Sequence, residues 1–252
     1  MSRERRENGM MELTVLGCQG PYPAPEGATS GYFVTGANAR LQLDLGSGTL
    51  AALTALTAPE ELTALILTHW HYDHCCDVLP LLYRLESACA QGAEPLAVYA
   101  PADETSPVRQ AVMNSAAVRL HSIAPGDELV LGGVTVRVYS ARHPVPAVML
   151  RLEADGRALC YTGDTNETPG LPDFARDASL LLADGLFPAA VWGAGKPHLS
   201  AEKAAGLAAD AGAERLLVTH MNPAFDPEGL LREARARFPG AELAVRGRRY
   251  KV

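Results

Sequence analysis

Along this chain the apolar residues fall in short runs, divided by polar stretches that carry glycine and proline. A short run of that kind suits a strand, whereas longer stretches with apolar residues three or four apart suit helices. Residues 13–16 read as the first strand, and residues 31–35 and 39–45 as a hairpin turning at Gly36-Ala37-Asn38. Residues 19–31, rich in proline and glycine, read as a loop. A short helix over 47–57 stops before Pro59, and residues 62–68 form a continuous apolar run, the pattern of a strand buried on both faces. Residues 77–90 suit a helix with Pro80 in its first turn, where a missing N–H costs nothing.

Further strands are expected over 96–99, 118–123, 128–131, 134–139, 148–153, 158–161 and 180–183. A long loop over 184–197, a helix over 201–211 and a strand over 215–219 follow, then a helix over 228–237 and a last strand over 243–245. No repeat and no linker breaks this order. Strand-rich stretches with helices between them predict sheet layers covered by helices.

Composition narrows the function more than the fold. With 48% hydrophobic and 20% charged residues, the chain has the balance of a soluble globular protein. A net charge of −7 argues against a nucleic-acid backbone as main partner, because phosphate binding leans on clustered Lys and Arg. The five cysteines are odd in number and lack a CxxC pair, which suits free thiols in a reducing cytoplasm. Residues 1–10 are charged and lack an apolar segment, so they read as a disordered extension and not as a signal peptide, and residues 11–252 as one domain. No apolar run approaches a membrane span.

The chemistry is densest at His69-Trp70-His71-Tyr72-Asp73-His74, directly after the apolar run 62–68. Nothing in helix, strand or core formation demands three imidazoles and a carboxylate there. In extended backbone, residues two apart point the same way, so His69 and His71 can grip one metal together. Asp73 and His74 fall past a tight turn, placed for a second. His143, Asp164 and His220 each stand where an apolar strand stops and a loop begins, the end of an α/β sheet where sites are built. Such residues, from several strand ends, are what a binuclear site needs. His121 lies mid-strand and reads as a surface or packing residue. Cys75 and Cys76 read as small packing residues of the next helix, not as ligands.

Taken together, Thr68 to His74, His143, Gly163-Asp164-Thr165, Thr219-His220 and the Asp44 of Leu43-Asp44-Leu45-Gly46-Ser47-Gly48 resemble the metallo-β-lactamase-fold hydrolase superfamily. The resemblance spans nearly all of residues 11–252 and implies an α+β, four-layer αββα sandwich. By position it implies that His69, His71 and His143 hold one divalent metal, that Asp73, His74 and His220 hold a second, and that Asp164 bridges them. Asp44 would stand behind the ligands or simply form a turn. Nitrogen and carboxylate donors without thiolate suit Zn²⁺, with Mn²⁺ and Fe²⁺ as alternatives.

The element Lys196-Pro197-His198-Leu199-Ser200 is similar to one in the ribonuclease Z and phosphodiesterase branch. That resemblance makes His198 the candidate to contact the scissile phosphate or protonate the leaving oxygen. Lys196, Arg142 and Arg84 are weaker candidates for phosphate contact. The expected chemistry is attack by a metal-ionised water on a small phosphodiester, such as a cyclic nucleotide. The alternatives are a thioester or lactone hydrolase of the same fold, a ribonuclease Z-like RNA endonuclease, and a metal-binding protein without activity. His143 and Asp164 stand too close in sequence for the basic arm of a tRNA-processing enzyme, which counts against tRNA as substrate. The branch also points to a homodimer.

Overall fold

The computed structural model describes residues 10–252, so the extension expected over residues 1–10 lies, but for Met10, outside the described residues. Two seven-stranded sheets pack face to face. The first runs β14-β1-β2-β3-β4-β5-β6, from β1 (Glu12–Gly17), β2 (Gly31–Gly36), β3 (Ala39–Leu45), β4 (Ala64–Ile66), β5 (Leu96–Ala100), β6 (Val118–Ser122) and β14 (Arg249–Lys251). The second runs β13-β12-β11-β10-β9-β8-β7, from β7 (Glu128–Leu131), β8 (Val134–Ser140), β9 (Val148–Ala154), β10 (Arg157–Tyr161), β11 (Leu180–Asp184), β12 (Leu216–Thr219) and β13 (Glu242–Leu243). Each sheet has antiparallel meanders on one side and parallel strands on the other.

Three apolar clusters hold these layers. Leu13, Leu41, Leu43, Ile66, Leu150, Leu159 and Leu182 meet between the sheets. Helices α1 (Thr49–Thr54), α3 (Val78–Cys89) and α4 (Pro107–Asn114) cover the first sheet through Leu53, Leu81, Leu85 and Val108. Helices α5 (Leu171–Ala175), α6 (Ala201–Asp210) and α7 (Pro227–Arg237) cover the second, where Ala201, Ala204, Ala205 and Ala208 form the buried stripe of α6. Alanine at those places lets α6 lie close on β11 and β12. The αββα sandwich is therefore the expected one.

Several details differ from the sequence expectation. Of residues 62–68 only Ala64–Ile66 pairs as a strand, because a 3-10 turn at Pro59–Glu61 feeds it and His69 already leaves the ladder. The metal motif itself winds into a short helix, α2 (Tyr72–Cys75). Helices α4 and α5 and strand β14 had not been expected. The start of α4 carries a legible signal, since Ser106 caps it with Oγ on the Arg109 N–H and Pro107 follows. Strand β14 exists only through pairing with β1, so no local pattern announces it. Among the described residues no helix is long and apolar enough to cross a membrane.

Candidate metal centre

The site lies along one edge of the sandwich, at the carboxyl ends of the strands. Asp44 is the last residue but one of β3, His69 to His74 follow β4, His143 follows β8, Asp164 follows β10, Asp184 ends β11 and His220 follows β12. Two of these residues adopt left-handed backbone, Asp44 at φ 51° and His220 at φ 56°. Neither is glycine, so each is held by its surroundings at a conformational cost, a pattern that concentrates at functional sites. Gly20 shows how closely His220 is packed: a Cβ on Gly20 would fall 2.0 Å from the imidazole Nε2.

Of three sets of donor atoms that converge here, one (Asp164, Asp184, His198 and His220) contains the His198–Asp184 hydrogen bond, and the other two match the expected metal ligands. His69, His71, His143 and Asp164 form one, and Asp73, His74, Asp164 and His220 the other, with the donor atoms of each set within 4.8 Å of one another. In the first, His71 Nδ1 is 3.1 Å from His69 Nε2 and 3.0 Å from His143 Nε2, and Asp164 Oδ2 is 3.5 Å from His69 Nε2. In the second, His74 Nε2 is 3.1 Å from Asp164 Oδ1, and His220 Nε2 is 3.0 Å from Asp73 Oδ2 and 3.4 Å from Asp164 Oδ1. Asp164 thus presents one oxygen to each set. His74 Nε2 and Asp164 Oδ1 are buried and, although close to each other, neither makes a well-aligned hydrogen bond. Buried polar atoms are rarely left so, and a cation between them would satisfy both.

The outer atoms of these rings are held in turn. His74 Nδ1 donates to Asp44 Oδ2 at 2.7 Å. The same carboxylate accepts from Tyr161 OH at 2.6 Å, from the Thr68 N–H at 2.7 Å and from Thr68 Oγ1 at 2.9 Å. Thr68 Oγ1 also meets His69 Nδ1 at 3.1 Å, and His143 Nδ1 donates to the Pro197 carbonyl at 3.2 Å. Such contacts fix which ring nitrogen faces inward.

Burial lowers the pKa of His69 and His71, and pushes His143 down to about 4, which leaves neutral rings with free lone pairs. Burial also acts downwards on His74, but Asp164, Asp44 and Asp73 outweigh it and raise that ring well above the usual range. Burial acts upwards on Asp164, yet His220, His74 and His198 hold its carboxyl well below the usual range.

His198 stands beside both sets. Its ring stacks on His220 at 5.0 Å between centroids, and its Nδ1 donates to Asp184 Oδ2 at 2.8 Å. Burial works against its protonation, but Asp184 and then Asp164 raise it to about 9. Ser200 caps α6 through Lys203 N–H at 3.1 Å, which fixes the chain next to His198. Arg142 and Lys196, with His143, Pro144 and Pro197, line a shallow cavity of about 200 Å³. Arg84 does not reach the site, because it is forked onto Glu60 on the outer helical face. His121 is exposed and stacks on Tyr99. Cys75 is buried and Cys76 half-buried, and neither belongs to a donor set.

Sequence reasoning missed Asp184 and Tyr161 as parts of this machinery, and gave Thr68, though named in the motif, no role. Asp184 had a signal of its own, an acid closing a wholly apolar run at Leu180-Leu181-Leu182-Ala183. Tyr161 had none, since a tyrosine in a strand reads as core.

The domain model described as "Beta-lactamase superfamily domain" matches residues 43–221. A protein named "Probable metallo-hydrolase YhfI", from Bacillus subtilis, is 30% identical over 234 residues, covering 91% of this chain and 95% of that protein. The crystal structure of YhfI, described as a metallo-beta-lactamase fold protein, superposes with a TM-score of 0.90 over 96% of this chain and all of that one. Ribonuclease BN of Cronobacter sakazakii is 29% identical over 299 residues, covering 93% of this chain and 97% of that protein. Zn(2+)-bound PqqB from Methylobacterium extorquens shares the fold at 18% identity, with a TM-score of 0.75 over 96% of this chain and 100% of that one.

Proposed function

This chain belongs to the beta-lactamase superfamily and has the metallo-β-lactamase fold of a metal-dependent hydrolase, and on that premise we propose that it is a binuclear phosphodiesterase acting on a small phosphodiester. The observation that carries the reading is Asp164, whose two oxygens face two separate sets of nitrogen and carboxylate donors. His69, His71, His143 and Asp164 Oδ2 would hold one ion, and Asp73, His74, His220 and Asp164 Oδ1 the other. The donor chemistry suits Zn²⁺ first, then Mn²⁺ or Fe²⁺. When bound, such ions ionise water near neutral pH and neutralise charge on a phosphoryl oxygen.

The chain's own residues supply the rest. Asp44 holds the His74 ring, and the Pro197 carbonyl holds His143, so donors meet the substrate already oriented. His198, kept protonated by Asp184, gives its proton to the leaving oxygen. Asp184 retains its hydrogen bond throughout and orients the ring, so it acts as a positioning residue. Arg142 and Lys196 beside His143 offer charge to the outer phosphate oxygens. A proton donor poised beside the donor sets supports a phosphodiester over a thioester, whose thiolate leaves without protonation. The likeness to a protein named ribonuclease BN supports phosphorus-centred chemistry as well. Between His143 and Asp164 the chain forms only the β9–β10 hairpin, which supports a small substrate over a folded RNA.

The test joins metal analysis to kinetics on 2′,3′- and 3′,5′-cyclic nucleotides and a thioester panel. The expected result is about two divalent ions per chain and turnover of a phosphodiester, with His198→Ala lowering kcat at least about 100-fold. Faster turnover of thioesters, unaffected by that substitution, would move the assignment to carboxyl chemistry.

A further inference from the structure

Two half-buried aromatic rings, one against His198 and the second against the first, lie outside the apolar clusters. The chain has five phenylalanines. Phe33 and Phe174 lie in the apolar clusters and Phe238 packs against one of them. The other two, Phe187 and Phe225, are half-buried and belong to none of the clusters. Both come from loops that begin at the site, the loop after Asp184 for Phe187 and the loop after His220, with four residues between, for Phe225.

Their placement is specific. The Phe187 ring meets His198 edge-on, 6.0 Å between centroids at 68°, and Phe225 stands 6.4 Å from Phe187. Phe187 is pinned by its backbone, which accepts from the Ala201 N–H at 3.1 Å and donates to the Leu199 carbonyl at 3.3 Å. The wall is therefore built from the same strap that carries His198. Lys196 Nζ lies 5.3 Å from the Phe187 centroid, at the basic side of the wall.

We infer that Phe187 and Phe225 form a subsite for a nucleobase, so that the leaving group of the phosphodiester is a nucleoside. The inference rests on the phosphodiesterase reading for its leaving group and on geometry for its location. His198 marks the side from which the leaving oxygen is protonated, so whatever hangs from that oxygen lies against the two rings. An aliphatic alcohol would leave them bare to water. A flat, weakly polar heterocycle stacks on an aromatic face with any base identity, and the cations at Arg142 and Lys196 fit the phosphate it carries.

Binding measured by calorimetry on the metal-loaded protein tests this without turnover. The ligands are adenosine 5′-monophosphate and ribose 5-phosphate, which share the phosphate and sugar and differ in the base. Base stacking should make the nucleotide bind about 10-fold more tightly or better. Phe187→Leu keeps the apolar volume and removes the ring, so the preference should shrink towards none, whereas Phe187→Trp should keep it. Phe225→Ala, on a separate loop, should reduce it independently. Equal affinity for the two ligands in the unsubstituted protein, or an undiminished preference in Phe187→Leu, overturns the subsite. A preference that Phe187→Leu abolishes supports the subsite even in a protein that hydrolyses no phosphodiester, in which case only the reaction assignment falls. Phosphodiester turnover without any base preference sinks the subsite and spares the reaction.

Discussion

Asp184 shows how much one buried carboxylate controls at the scale of a residue. It holds His198 Nδ1 at 2.8 Å and accepts from the Leu186 and Thr165 N–H groups. The folded protein binds the His198 proton more tightly than the unfolded chain does, so this contact stabilises fully below the ordinary histidine pKa of about 6.5 and is lost as pH rises through about 9. A proton donor raised in this way gives a rate profile whose descending limb lies on the alkaline side of the ordinary histidine range. In Asp184→Asn the descending limb should move to lower pH while the metal content stays at its original value; a limb that does not move removes Asp184 from this role. Asp44 is the second such carboxylate, with no exposed surface and four groups donating to it. Asp44→Ala leaves those donors unpaired in the interior. Urea unfolding should report a loss of about 3 kcal/mol or more. At this scale the sequence was most legible where ligand-type residues crowd together. His143, Asp164 and His220 could be found because each breaks an apolar run, whereas Tyr161 could not, because its hydroxyl contact with Asp44 spans 117 positions.

Helix α2 makes the corresponding point for elements. Four residues are too few to hold a helix by themselves. It stands because its groups are taken up elsewhere: Ser30 N–H donates to the Asp73 carbonyl at 3.1 Å, and His74 Nδ1 is held by Asp44. Gly46 leaves room for it, since a Cβ there would lie 2.0 Å from the Asp73 carbonyl oxygen. Gly46→Ala should push Asp73 away and empty the second donor set first, so metal analysis should drop from about two ions towards one. Retention of both ions would show that the loop yields instead. The helix α6 cap has a smaller expected effect: Ser200→Ala should cost about 1 kcal/mol, read by thermal unfolding. Elements with a strong local pattern, such as α3, α6 and the β7–β8 hairpin, were visible in the sequence. Strand β14 and helix α5 were not, because a partner strand and a packed neighbour define them.

For the molecule as a whole, the site edge gathers four carboxylates, Asp44, Asp73, Asp164 and Asp184, in a buried region. Concentrating like charge in the interior is costly unless cations offset it. Ions that bind only the folded chain stabilise it by mass action. Removing them with a chelator should therefore lower the thermal midpoint by roughly 5–10 °C, with recovery on adding Zn²⁺. An unchanged midpoint would mean that the donor sets hold no stabilising ion. The sequence by itself determined sheet layers covered by helices, the strand ends that carry ligand-type residues, and the chemistry of those residues, because periodicity and residue type are local properties; the α+β, four-layer arrangement was implied by the family resemblance. Only the tertiary structure decided that Asp164 turns one oxygen to each donor set, that Asp184 orients His198, and that Phe187 and Phe225 meet beside it. Those relations join residues far apart in the chain, and only the packing of one sheet on the other brings them within a few ångströms.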